Sequence, residues 1–98
     1  MSKPDVYISL LTMELVIPWA RSLKDKRGVV RALKERLRSR FNASVAEVAY
    51  QDKWQRATLV VCAVDNDRRQ LEATMARIRR LSDNARDLEI ADIRQQWL

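Results

Sequence analysis

The 98-residue sequence has no histidine, one cysteine, one glycine and two prolines. Without histidine there is no imidazole for ordinary acid–base or Ser-His-Asp chemistry, and no His-based metal site. Cys62 alone makes neither an internal disulfide nor a cysteine-based zinc site. It lies in the apolar run ATLVVCAV, where a buried, inert thiol is expected. One glycine cannot build a phosphate-cradling glycine loop. With no linker and no low-complexity tract, residues 1–98 are expected to form a single domain of almost wholly regular structure. Membrane-length hydrophobic runs are missing too. VYISLLTMELVIPWA contains Glu14, is broken by Pro18 and follows the weakly charged MSKPD. It therefore predicts a strand rather than a signal-peptide core or a span, with no membrane insertion and a cytoplasmic location.

What the sequence does contain is strong patterning, in a chain that is 47% hydrophobic and 33% charged. Residues 5–17 put Tyr7, Leu11, Met13, Leu15 and Ile17 on one strand face. Val6, Ile8, Leu10, Thr12, Glu14 and Val16 fall on the other. Both faces are apolar over the first half, which predicts a central strand stopped by Pro18. Ser22 and Asp25 have capping-box spacing, with Asp in place of Glu or Gln. They open a helix over 23–41 whose apolar arc holds Leu23, Val29, Val30, Leu33, Leu37 and Phe41, with Asn42 at its end. ASVAEVAY (43–50) and RATLVVCAV (56–64) read as strands joined by QDKWQ, a hairpin. Asp67 and Gln70 open a second helix over 68–82, with Leu71, Thr74, Met75, Ile78 and Leu81 inward. DLEIADI (87–93) predicts a short last strand and RQQWL a tail. The order β-α-β-β-α-β predicts an α+β, ferredoxin-like fold. Its four-stranded antiparallel sheet, in order 4-1-3-2, carries two helices on one face.

The charge is unevenly spread. Lys24 to Arg40 holds eight Lys/Arg against Asp25 and Glu35, a net of +6 that equals the formal charge of the whole chain. Eleven basic and eleven acidic residues elsewhere balance. On a wheel counted from Leu23, Lys24, Arg27, Arg31, Lys34 and Arg38 fall between about 20° and 100°, one stripe beside the apolar arc. The stripe is about 21 Å long, enough to meet several phosphates. Arg36 and Arg40 lie on the other flank. Lys26 falls inside the apolar arc, so it must snorkel or bond a loop. A solvated face usually mixes signs to gain i,i+4 pairs, whereas Arg27–Arg31 and Lys34–Arg38 are like-charge pairs. That imbalance favours a polyanionic partner over a merely solubilising face or a membrane surface. The outer side holds Gly28, Ala32, Glu35 and Ser39. Gly28 is mid-helix, where it costs about 1 kcal/mol relative to Ala.

Other constellations carry less. Asp65 and Asp67 in VDNDRR alternate like the start of a calcium loop, but the glycine and glutamate of such a loop are missing, and a helix cap explains them. Glu14 and Glu47 fall on non-adjacent strands and are assigned no catalytic role. Trp54, flanked by Lys53 and Arg56, has the pairing used for base stacking and phosphate contact. The alternative is that Trp54 packs on the sheet edge. Val6, Ile8 and Leu10, with Val45 and Val60, would leave the uncovered sheet face apolar, a surface that a second copy could cover.

SLKDKRGVVRALKERLRSRFNASVAEV, then QDKWQRATL and VDNDRR, resembles the bacterial YlxP-like family, small proteins of unknown function. Ser22-Leu23-Lys24 with Lys26-Arg27, Arg40-Phe41-Asn42, Ala46-Glu47-Val48, and Asp52 with Trp54-Gln55-Arg56 carry the likeness. Gly28 departs from the pattern, which has a polar or basic residue there. The resemblance implies the same ferredoxin-like fold and no established catalysis. It also implies a setting in translation, because such genes often neighbour those for initiation factor 2 and a ribosome-binding factor. The expectation is a non-enzymatic, cofactor-free basic module that binds RNA or the ribosome. Lys24, Arg27, Arg31, Lys34, Arg38, Trp54 and Arg56 are its candidate contacts. The alternative is a homo-oligomeric adaptor that uses the open sheet face, as a homodimer.

Overall fold

A computed structural model describes residues 4–98; the first three residues of the expected domain lie outside the described residues. The elements are β1 (Tyr7–Val16), α1 (Leu23–Arg40), β2 (Ala43–Ala49), β3 (Arg56–Asp65), α2 (Arg68–Asp83) and β4 (Glu89–Trp97). They form one antiparallel sheet in the order β2-β3-β1-β4. This is the ferredoxin-like arrangement that the patterning predicts. Among the described residues no helix is long and apolar enough to cross a membrane.

The alternation in β1 sets the layers. Leu11, Met13, Leu15 and Ile17 are buried on the helix side, with Leu59 and Val61 of β3. Against them lie Val30, Leu33 and Leu37 of α1 and Leu71, Met75 and Ile78 of α2. The α1 apolar arc thus docks as its spacing requires, while Thr74 of the expected α2 inner face is only half-buried. Both N-caps form: Ser22 Oγ accepts from Asp25 N at 3.0 Å, and Asp67 Oδ1 from Gln70 N at 3.1 Å. The shorter Asp25 side chain answers Arg21 N at 3.0 Å rather than the cap residue itself, a shifted form of the box.

Three expectations are corrected. RQQWL is not a tail, because β4 runs to Trp97. Pairing moves from Glu14↔Asp92 to Leu15↔Ile90, which leaves Ala91 as an extra residue. That bulge lets Ile90 and Ile93, three apart, share the helix side, which strict alternation forbids. Beyond it, polar residues find partners in β1. Gln95 Nε2 donates to Ser9 Oγ at 3.1 Å, and Ser9 Oγ donates to the Gln96 carbonyl at 3.3 Å. The Arg68 guanidinium lies 4.3 Å over the Trp97 ring. Val45 does not join the open face: it pairs with Val61 and is buried under the helices. Cys62 is not in the core, since its register partner Leu10 points away from the helices and the thiol residue is only half-buried. The uncovered face instead carries Ile8, Leu10, Val60, Cys62 and Val64, and Val64 is 56% exposed.

Candidate nucleic-acid interface

The predicted stripe divides in the folded chain. Arg27, Arg31, Lys34 and Arg38 line one groove of about 390 Å³ between α1 and the edge strand β2. Arg38 Nη2 donates to the Val45 carbonyl at 2.8 Å, which fixes the end of the row against β2. No carboxylate oxygen among the described residues comes within 4.0 Å of these four cations. None of the four is ion-paired, although Glu35 and Glu47 also line the groove, so the row keeps an excess of positive charge. Lys24, at the first turn, borders a different groove of about 530 Å³ together with Trp19, Gly28, Ala32, Arg36 and Arg86.

Lys26 bonds a loop and is 1% exposed. Its Nζ donates to the carbonyls of Tyr50, Gln51 and Arg56, the last at 3.2 Å. Glu47 Oε2 lies 3.0 Å from the same nitrogen. That oxygen receives no well-aligned hydrogen bond, so the contact is an ion pair and the three N–H groups serve the carbonyls. Gln55 adds a second tie, its Nε2 donating to Pro18 O at 3.0 Å and Ala20 O at 3.1 Å. Together they lock the β2–β3 hairpin to the start of α1.

The hairpin tip holds the other predicted residues. Trp54 is 53% exposed and lies outside the core. It borders a shallow cleft with Tyr50, Lys53 and Arg56. The Arg56 guanidinium sits 4.8 Å over the Tyr50 ring. Tyr50 is left-handed (φ 63°) and its carbonyl accepts from Lys53 N at 3.0 Å, which closes the turn. Arg56 pairs with Val16, whose neighbours Leu15 and Ile17 face the helices. Arg56 therefore leaves the sheet on the uncovered side and is not brought together with the α1 row.

The carboxylates have structural work. Glu14 accepts from Thr58 Oγ1 at 2.8 Å on the uncovered side, whereas Glu47 lies opposite Leu59 on the helix side. The sheet separates them, and β3 stands between their strands. Asp65 Oδ1 accepts from Asp67 N at 3.1 Å, so VDNDRR is a capped helix start.

The family model described as a protein of unknown function (DUF503) matches residues 8–95. The chain belongs to the DUF503 family. The uncharacterized protein YlxP of Bacillus subtilis (strain 168) is 34% identical over 90 residues, covering 92% of this chain and 98% of that protein. The resemblance drawn from the sequence is borne out. The span matched by DUF503 runs from the second residue of β1 to within two residues of the end of β4, so the basic helix and the hairpin both lie within it.

Sequence reasoning passed over one feature of this DUF503 chain. Arg36 and Arg40 of α1 face Arg77 and Arg80 of α2 across a cleft of about 340 Å³ that no acid lines. Arg77 lies 5.9 Å over the Phe41 ring. Neither helix pattern alone reveals it, because the cleft exists only once the two helices lie side by side. The one available signal was that α2 holds five arginines against Glu72 and Asp83.

Proposed function

We propose that this protein is a cytoplasmic, non-enzymatic binding module that docks on RNA, as free structured RNA or within the ribosome, through α1. The observation that carries the reading is the row Arg27, Arg31, Lys34 and Arg38, none of them ion-paired, in one groove that Glu35 and Glu47 also line. Four cations against two carboxylates leave a net positive groove, and a phosphate backbone balances that charge while releasing its own counterions. Lys24, in the neighbouring groove, adds a further cation at the first turn of α1. Trp54 and Arg56, on the hairpin that Lys26 ties to α1, offer an aromatic and a cation for an unstacked base and its phosphate. Binding of a labelled structured RNA should weaken with salt, log K falling with log[salt] at a slope of about −3 to −4 for four contacts. Arg27→Gln/Arg31→Gln/Lys34→Gln should flatten that slope by about 3. Salt-independent binding, or a triple variant that binds like the parent, rules the reading out.

A second reading rests on the uncovered sheet. Ile8, Leu10, Val60 and Cys62 form an apolar field with no helix over it, and a second copy of the chain would cover it. The two readings are compatible, since a dimer would present two basic helices.

A further inference from the structure

We propose that the cleft between α1 and α2 is a second phosphate-binding site, and that the RNA it serves is double-stranded. Arg36, Arg40, Arg77 and Arg80 converge on it from two helices. No carboxylate oxygen of the described residues lies within 4.0 Å of any of the four. The cleft is continuous with the groove that holds Lys24 and Arg86, because Arg36 and Asn84 line both. This makes a second, mainly basic track on the flank of α1 away from β2, with Asp25 and Asp87 beside Lys24 and Arg86 in its wider groove. The first track, Arg27 to Arg38, lies on the opposite flank.

The outer face of α1 between the two flanks is low and exposed: Gly28 and Ala32, which line the Lys24 groove, and Ser39. A Cβ added at Gly28 would meet no atom within 4 Å, so no packing in the chain requires this helix-weakening residue. A single strand offers one backbone and fills one track. A duplex offers two backbones, one on each side of a groove. A helix about 10–12 Å across with cations on both flanks matches the wide, shallow minor groove of A-form RNA, whose rims are phosphate. Glu35, which borders the first track, then lies toward the groove floor, where 2′-hydroxyls and base amino groups donate.

This inference rests on the RNA-binding reading, and the experiment separates the two. A labelled RNA strand is titrated alone and annealed to its complement, against the parent protein, Arg36→Gln/Arg80→Gln, and Arg68→Gln/Arg69→Gln as a control of equal charge change. The variant spares Arg77 and its Phe41 contact, and thermal melting checks that each protein is folded. The expected result is tighter binding of the duplex by the parent. Arg36→Gln/Arg80→Gln should lose about tenfold on the duplex, with a salt slope shallower by about 2, and change little on the single strand. Equal losses on both RNAs, or the same loss in the Arg68/Arg69 control, overturn the cleft as a duplex site and leave the β2-side row standing. If the parent binds neither RNA, both proposals fall.

Discussion

Lys26 has three N–H bonds on its ammonium group and three hairpin carbonyls around it, with the Glu47 carboxylate 3.0 Å away. Its angle on the helix told that it must bury its stem, and only the fold supplied the carbonyls that make burial tolerable. Lys26→Met would remove the charge partner of Glu47 and the side-chain donor to the three carbonyls, of which Tyr50 O alone keeps Lys53 N, and should destabilise the protein by about 3 kcal/mol. Equilibrium urea unfolding measures this. The double variant Lys26→Met/Glu47→Leu should recover part of the loss, because the stranded charge goes with the lysine. Equal losses in the single and double variants would mean that the pair is irrelevant and only the loop carbonyls count. Cys62 and Val45 mark the opposite limit: their apolar character was plain in the sequence, but their side of the sheet depends on pairing register.

At the scale of elements, α1 was legible almost completely. Its cap, its apolar arc and its basic stripe all follow from spacing along one helix. β4 was not, because Ala91 breaks the period of two that a strand reading relies on, and the polar RQQ that follows is sustained by partners in β1. Gly28 gives a clean test of how free the outer face of α1 is. Gly28→Ala adds helix propensity and meets nothing, so it should stabilise the domain by about 1 kcal/mol and raise the melting temperature by several degrees. A lower melting temperature would show that this face packs on something in the free protein.

The whole molecule has two unlike surfaces. Its helix layer carries two basic tracks, and its bare sheet face is apolar at the centre, with Glu14, Asp92 and Arg94 grouped toward one end. The sheet reading expects a dimer mass by light scattering at tens of micromolar and a monomer after Val60→Asp. A monomeric parent protein at that concentration rules out self-association through the sheet. The candidate site was half legible at this scale. The Arg27–Arg38 row belongs to one helix and survives folding intact, whereas Lys24 turns to another groove and Arg56 emerges on the far side of the sheet.

The sequence by itself determined the element order, the core faces and the concentration of charge on α1, since each depends on periodicity within a single segment. It also determined what chemistry is missing, because residues that are not in the chain cannot be folded into a site. Only the tertiary structure decided where charge accumulates in space. The eleven basic and eleven acidic residues outside Lys24–Arg40 cancel in number. They do not cancel in place, because packing sets Arg77 and Arg80 beside Arg36 and Arg40 while Glu14 and Glu47 go to opposite sides of the sheet. Coulomb forces depend on distance, and distance between segments is what folding creates.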